Sequence, residues 1–484
     1  MTMARWRKWS KRKKWVFSIL VVLILAYTVS ILWHTFKPLP EGVSYNGDLQ
    51  PISSIDMVTD LTYATDTSGD TRKTENEIFN TIYQMIEDAE EFVVVDFFLV
   101  DGFFEEDEGF PPIVDTLSET MAEKKRQNPE MPVIFITDPL NQGYGSYENK
   151  WFKKMRDAGV EIVYTDLDKL RDSTPIYSGI YRTLFQWFDF GGKGWIPNAM
   201  ASEAPKMTIA SYLTLLNVKA NHRKLVVTEK EGMVSSANPH DASGLHGNIA
   251  LKFTGSALLN DLLEAEEAVS KFSGGPDLPR VTEIEEEAVY EGQLLTEKKI
   301  LDALLTDIAA TKEGDSIHLM MFFIAKRDIV NALIDAANRG VDVKLILDPN
   351  ENSFGREKSG LPNRPVVQEM VEDTEGKLEV RWYNTVIGQY HSKAIHIQTN
   401  RSVISSGAAN YTERTLDNYN LEANLRVVAE NDSDLAREFT AYFERLWTNQ
   451  DGVFTLDVEE YQDGFTWWQR WIYAFQKLTK VTTY

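Results

Sequence analysis

Residues 221–238 read Asn-His-Arg-Lys-Leu-Val-Val-Thr-Glu-Lys-Glu-Gly-Met-Val-Ser-Ser-Ala-Asn. In an extended strand, side chains two apart share a face, so His222 and Lys224 emerge side by side. The apolar run Leu225, Val226 and Val227 follows, and the chain returns through Gly232, Met233 and Val234 to a small polar cluster ending at Asn238. This pattern predicts a hairpin with polar chemistry at one end, where Ser236 and Asn238 come back beside the imidazole and the ammonium. A histidine, a lysine, a hydroxyl and an amide without a carboxylate form a pocket for an oxyanion such as a phosphate.

The arrangement recurs. His391-Ser-Lys393 is followed by Gly407-Ala-Ala-Asn410, as His222-Arg-Lys224 is by Ser235-Ser-Ala-Asn238. A further echo comes after each, Leu245-His246-Gly-Asn248 against Leu421-Glu422-Ala-Asn424. The flanking elements repeat as well. Helical spacing at residues 75–90 precedes a strand at 92–100, a helix at 113–125 and a strand at 133–137 that ends in Asp138-Pro139; a helix at 147–158 and a strand at 161–164 follow. The second set is a helix at 298–310, a strand at 317–324, a helix at 329–339 and a strand at 343–347 ending in Asp348-Pro349, then a helix near 366–371 and a strand at 378–382. Strands alternating with helices in two matching series predict an internal duplication of an α/β unit.

The bulk numbers agree with two units and exclude some partners. At 484 residues the chain exceeds one ordinary core. It has no cysteine, which excludes disulfides and thiolate chemistry. The seven cations of the first 14 residues (Arg5, Arg7, Lys8, Lys11, Arg12, Lys13 and Lys14), taken from a net charge of −23, leave −30 on the remaining chain. So acidic a body repels nucleic-acid backbones, and no nucleic-acid partner is expected.

Residues 15–33 are apolar and uncharged, about 28 Å of helix and enough to cross a bilayer. The basic flank favours the cytoplasmic side, which would place the body outside, and the bulky residues 33–38 offer no cleavage pattern, so an uncleaved signal anchor is expected. The organisation read from sequence is a basic N-terminus and anchor at 1–37, a polar linker at 38–71, a first repeat at 72–273, a linker at 274–290, a second repeat at 291–450 and a tail at 451–484. The first repeat is longer by an insert near 176–217 containing Tyr177, Tyr181, Phe185, Trp187, Phe188, Phe190 and Trp195. That insert reads as a lipid-facing lid or acyl groove, or as a satellite core on its own domain. The tail puts Phe465, Trp468, Trp471, Ile472 and Phe475 on one helical face, which suits either a bilayer interface or a core-capping helix.

The paired motifs resemble those of the phospholipase D superfamily, His-x-Lys-x4-Asp followed by Gly-Ser-x-Asn, given twice over about residues 75–450. Within it the layout is most like bacterial phospholipase D-like and cardiolipin synthase-like proteins. The resemblance implies an α/β fold of two phospholipase D-like α/β/α repeats with pseudo-two-fold symmetry and one site at their interface, which would follow the N-terminal transmembrane helix read from residues 15–33. The sequence departs from the pattern in four places. The motif acid is Glu229 in the first copy and Gln398 in the second, and the motif Gly is Ser235 and its Ser is Ala408, with Ser405 or Ser406 the candidates to supply the missing hydroxyl.

Cleaving a phosphodiester wants a nucleophile on one side of phosphorus and a proton donor on the other, and histidine serves in both roles near neutral pH. The resemblance implies that His222 attacks and forms a phosphohistidine while His391 acts as acid and then base. Lys224, Lys393, Ser236, Asn238 and Asn410 would hold the phosphate oxygens, Glu422 would orient His222 from the opposite copy, and His246 would be the corresponding partner of His391. No metal or cofactor is expected. The expected substrate is a phosphatidylglycerol-like phospholipid, and the expected setting is the cell membrane. The alternatives are an exported nuclease or phosphodiesterase of the same superfamily, or a degenerate membrane-tethered scaffold.

Overall fold

The computed structural model describes residues 9–461 apart from 67–70, 105–108, 189–191, 200, 202, 286, 354–355, 358–359 and 386–387. The tail helix read at 465–478 and Phe190 of the insert lie outside the described residues.

Helix α1 (Lys11–Phe36) contains the apolar stretch and is long and apolar enough to cross a membrane. Beyond it, β1 (Gln50–Ile52) runs to the second repeat and pairs there. The first repeat then follows as β2 (Ser54–Ala64), β3 (Arg72–Asn76), α2 (Ile78–Asp88), β4 (Val93–Phe97), α3 (Ile113–Gln127), β5 (Val133–Thr137), α4 (Lys150–Asp157) and β6 (Glu161–Tyr164). After α5 (Pro175–Ile180) and α6 (Ile209–Leu215) of the insert come β7 (Lys224–Thr228), β8 (Gly232–Ser235), β9 (Asn248–Thr254) and α7 (Ser256–Phe272). The second repeat is β10 (Tyr290–Thr296), α8 (Lys298–Ala309), β11 (Ser316–Met321), α9 (Arg327–Asn338), β12 (Asp342–Leu347), a short hairpin of β13 (Asn352–Ser353) and β14 (Arg356–Glu357), α10 (Asn363–Asp373) and β15 (Leu378–Tyr383). It closes with β16 (Lys393–Gln398), β17 (Ser402–Gly407), α11 (Glu413–Leu416), β18 (Ala423–Ala429), α12 (Asp434–Trp447) and β19 (Thr455–Asp457).

The strand orders show the duplication directly. The first sheet runs β3-β2-β9-β8-β7-β4-β5-β6 and the second β1-β10-β18-β17-β16-β11-β12-β15-β19. Once β3, β1 and β19 are set aside, each position in one sheet has its counterpart in the other. The central strands are parallel (β4 with β5 and β6, β11 with β12 and β15) and are near-continuous apolar runs, as strands covered on both faces must be.

Alternation assigns the two faces. Val93, Val95 and Phe97 point outward with Phe135, Ile82 and Trp151 under α2, α3 and α4, and Val94 points inward with Ile136, Leu225 and Leu251. The inner faces of the two sheets share one core, in which Val234 and Leu251 of the first repeat sit with Ile404 and Leu425 of the second. The site lies where these inner faces meet.

One segment differs from its sequence reading. Residues 38–71 were expected as a polar linker, yet β1 and β2 occupy much of it, and β2 is paired on both sides inside the first sheet. Ile55, Met57, Leu61 and Tyr63 alternate with polar residues and are buried, a period-two pattern that the surrounding Ser, Thr and Asp disguise.

Candidate active site

Each histidine stands just ahead of a strand whose first residue is its lysine, β7 for His222 and β16 for His391. The turn before each is held by the aspartate that ends a neighbouring parallel strand. Asp138 accepts the backbone N–H of Asn221 at 2.9 Å, and Asp348 accepts that of Tyr390 at 2.6 Å. Burial pushes both carboxyls up to about 7. The repeats also touch on both sides of the pseudo-two-fold axis, in registers that differ by two residues. His222 N donates to Leu421 O and Gly247 N donates to Gln389 O, each at 2.8 Å. His222 is thereby seated beside Glu422, and His391 beside His246.

The immediate surroundings repeat. Lys224 Nζ donates to His222 O at 2.7 Å, and Lys393 Nζ to His391 O at 2.6 Å. Phe98 packs on His222 with ring centroids 4.9 Å apart and lies 5.4 Å from Lys224 Nζ. Phe322 does the same for His391 at 5.0 Å and for Lys393 at 5.3 Å. Burial pushes Lys224 down to about 7 and Lys393 well below the usual amine range, the latter with Lys224 as a second cause. Burial likewise holds both histidines well below the imidazole range, and each also feels the lysine of the other copy. Two desolvated amines close enough to oppose one another's charge would both be stabilised by an anion.

The far nitrogens break the symmetry. His222 Nδ1 lies 2.8 Å from Glu422 Oε2, a contact between a largely buried ring and a fully buried carboxylate of the other repeat. Glu422 Oε1 accepts from Asn420 Nδ2 at 3.3 Å, and burial raises its carboxyl to about 8 against the pull of Lys224. On the other side His391 Nδ1 lies 3.3 Å from Asn248 Oδ1. The place expected for His246 is thus taken by Asn248. The His246 ring centroid is 6.3 Å from that of His391, and burial pushes its pKa down to about 3, so it stands by as a neutral neighbour.

Ser236 also departs from its expected role. Its hydroxyl donates to Asn248 Oδ1 at 3.0 Å and accepts the backbone N–H of Ile249 at 3.0 Å, which fixes the amide against His391 and leaves no proton to offer a phosphate. Ala408 stands at this place in the second copy, and neighbouring Ser406 donates instead to Lys393 O at 3.2 Å. The side-chain oxygens of Asn238 and Asn410 are buried and make no hydrogen bond among the described residues. Turning either amide about would present its N–H₂ as a donor.

The motif acid is structural. Glu229 accepts the backbone N–H groups of Glu90, Glu91 and Phe92 at 2.7, 3.1 and 3.4 Å, closing the turn before β4. In the second copy, where Gln398 replaces it, Asp315 accepts the N–H of Lys312 at 2.8 Å and the turn closes on itself.

Sequence reasoning passed over several residues. Phe98 and Phe322 follow the last paired residue of β4 and β11, a position that pairing with β7 and β16 makes equivalent. Arg223, between the motif His and Lys, is fully buried and donates to Glu266 at 2.8 Å and to Glu297 at 2.9 Å. Glu297 in turn accepts the N–H of Glu422 at 3.1 Å, so a buried ion cluster joins the two repeats directly behind the His222–Glu422 pair. Among the described residues no group of three or more His, Cys, Asp or Glu is arranged to hold a metal ion.

Comparison with known proteins agrees with this picture. Residues 304–447 match the family described as "Cardiolipin synthase, PLD-like domain". The second copy is therefore a phospholipase D-like domain, and the chain resembles the phospholipase D superfamily in family match, paired motifs and fold. Phosphatidylserine synthase from Haemophilus influenzae Rd KW20 aligns over 95% of this chain and 98% of its own, with a TM-score of 0.58 and 10% identity, a likeness of fold. Nuc from Salmonella typhimurium, a phospholipase D family member, aligns over 34% of this chain and 97% of its own, with 23% identity and a TM-score of 0.26. No curated protein matches the sequence.

Proposed function

We propose that this chain is a membrane-anchored phosphodiesterase or phosphatidyltransferase of the phospholipase D type that acts on phospholipids through a phosphohistidine. The observation that carries the reading is the 2.8 Å contact of His222 Nδ1 with Glu422 across the two repeats, opposite a second histidine that lacks a carboxylate. An anionic phosphodiester between Lys224 and Lys393 keeps both ammonium groups charged and lets His391 take up the proton it will give, and the ammonium charges hold Glu422 ionised. His222 then donates from Nδ1 to the carboxylate and presents the Nε2 lone pair.

Nε2 attacks phosphorus, the bond to the departing alcohol breaks, and His391 gives its proton to the leaving oxygen. The imidazolium formed on His222 is stabilised by Glu422, as a buried carboxylate stabilises the imidazolium of a catalytic triad. His391 next takes the proton of an acceptor hydroxyl, whose oxygen attacks phosphorus and releases His222. Water as acceptor gives phosphatidic acid, and the glycerol of a second phosphatidylglycerol gives cardiolipin. The lysines and the amides of Asn238 and Asn410 hold the non-bridging oxygens as charge grows. Helix α1 crosses the bilayer with its basic end in the cytoplasm and the body outside.

The test is purified full-length protein incubated with labelled phosphatidylglycerol vesicles, with and without glycerol. Cardiolipin identifies transfer to a lipid alcohol, and phosphatidic acid identifies hydrolysis. No change in the lipid, together with turnover of an oligonucleotide, would move the reading to a nuclease.

A further inference from the structure

The insert between β6 and β7 is clamped to the membrane helix. Its helix α5, and the π turn at residues 181–185 that continues it, pack on the last third of α1. The α1 residues withdrawn from full exposure there are Tyr27, Ser30, Ile31, His34 and Thr35, one stripe at helical spacing, while Ile24, Val29, Leu32 and Trp33 on the other faces remain 54–63% exposed. Gly179 allows the close approach, since a Cβ there would fall 2.5 Å from Ile31 and 2.7 Å from the Tyr27 ring. Tyr27 donates to Ile176 O at 3.2 Å, and the backbone N–H of Asp172 donates to His34 O at 2.8 Å. The polar side of the segment is consumed inward. Arg182 pairs with Asp168 at 2.7 Å and with Asp172 at 3.1 Å, and Asp172 also takes Lys219 at 2.7 Å.

The face left outward is apolar. Ile176, Ile180 and Leu184, four residues apart, are 41–48% exposed, and Trp187 beyond them is 75% exposed. The contact with α1 sets its depth. With Trp33 at the outer end of the apolar stretch and a rise of about 1.5 Å per residue, Ile31 lies about 3 Å and Tyr27 about 9 Å inside that end. A helix touching both lies at the depth of interfacial helices, roughly 5–10 Å into the headgroup and acyl boundary.

We propose that residues 175–187 are a second membrane element, a half-immersed helix lying in the outer leaflet against α1. Its occupant is the bilayer itself, because the exposed stripe is continuous with the lipid-facing surface of α1. Two attachments fix the height and tilt of the body, and the first repeat is the part of it held against lipid. This inference rests on α1 spanning a membrane and is independent of the catalytic reading.

The absence of cysteine makes the test direct. Single variants Ile180→Cys and Leu184→Cys of the full chain, labelled with an environment-sensitive fluorophore, are placed in phosphatidylglycerol–phosphatidylethanolamine vesicles. Ile24→Cys serves as the lipid control and Glu285→Cys as the aqueous control. Both insert labels are expected to be quenched more strongly by shallow than by deep nitroxide lipids and to be shielded several-fold from iodide relative to position 285. Iodide access equal to that at 285 would overturn the proposal, as would protection from both quenchers, which means a covering protein surface or a second copy. A functional arm uses Ile180→Glu/Leu184→Glu. Turnover of vesicle phospholipid is expected to fall at least tenfold, with hydrolysis of soluble bis(p-nitrophenyl) phosphate unchanged, and undiminished vesicle turnover would refute it. If the wild-type chain turns over neither substrate, the catalytic reading fails while the quenching result still decides this one.

Discussion

Replacing Glu422 by glutamine tests the centre of the proposed mechanism, and the surrounding hydrogen bonds dictate what the amide must do. Asn420 Oδ1 accepts the N–H of Ala220 at 3.1 Å, which turns its Nδ2 toward Glu422 Oε1. A glutamine keeps that bond only by directing its carbonyl to Asn420, and its N–H₂ then faces His222. The imidazole must accept at Nδ1 and carry its proton on Nε2, the tautomer that cannot attack. The alternative orientation sets two N–H₂ groups against each other.

The lost charge-assisted bond costs about 1.5–3 kcal/mol, and reversing one of the neighbouring bonds about 1–3 kcal/mol more. Together these give roughly 2.5–6 kcal/mol in the barrier, or about 10²–10⁴-fold in kcat. KM should stay near wild type because Glu422 does not touch the phosphodiester in this scheme. The fold should not suffer, since burial already penalises the ionised carboxyl. The assay is single-turnover release of alcohol from phosphatidylglycerol vesicles, with the thermal midpoint measured alongside. A folded Glu422→Gln enzyme within about threefold of wild type, beside an inactive His222→Ala, would refute the orienting role and the tautomer argument with it.

Other outcomes follow from the same geometry. With a p-nitrophenyl ester, whose leaving group needs no proton, His391→Ala should give a burst of nitrophenol stoichiometric with enzyme and then a slow phase, whereas His222→Ala should give no burst; the reverse pattern would exchange the two roles. Asn248→Asp puts a carboxylate beside His391, which raises its pKa; because His391 must be protonated to act as the acid, the alkaline limb of kcat should move to higher pH, and an unmoved limb would mean that another group is the acid. Arg223→Met leaves Glu266 and Glu297 buried without their cation, so the denaturation midpoint should fall by an amount equivalent to about 3–5 kcal/mol, and a variant of wild-type stability would show that the cluster does not hold the repeats together.

Much of this site was legible in sequence because its chemistry is local. His-x-Lys at the start of a strand fixes its own geometry, and the strand-ending Asp138 and Asp348 were visible as an echo before their use as anchors was. Glu422 was placed opposite His222 by the family resemblance, not by the residues alone. What sequence concealed was competition for partners. Ser236 read as a phosphate donor, but it and Asn248, twelve residues apart, satisfy each other first, and the remaining capacity of the amide goes to His391. The edge of the fold was hidden for a different reason. Residues 50–64 are polar enough to read as a linker, and only their alternation marks strands that lace the N-terminal segment into both sheets.

The duplication explains why one site needs both copies and why they were free to diverge. Features that shape the backbone recur in both repeats: the anchoring aspartates, the Phe beside each imidazole and the lysine on its own histidine's carbonyl. Features that set proton affinity do not recur, since a carboxylate backs His222 and an amide backs His391. A nucleophile benefits from a partner that stabilises the cation it becomes, whereas a group that must give up a proton and then recover it is impaired by a partner that holds the proton too firmly. Two equal carboxylates would make both histidines good nucleophiles and poor acids. The Asn248→Asp enzyme isolates that argument. It should gain activity on the alkaline side while protonating an alkoxide leaving group more slowly at neutral pH, and an enzyme faster at every pH would show that the asymmetry between the repeats is not what divides their roles.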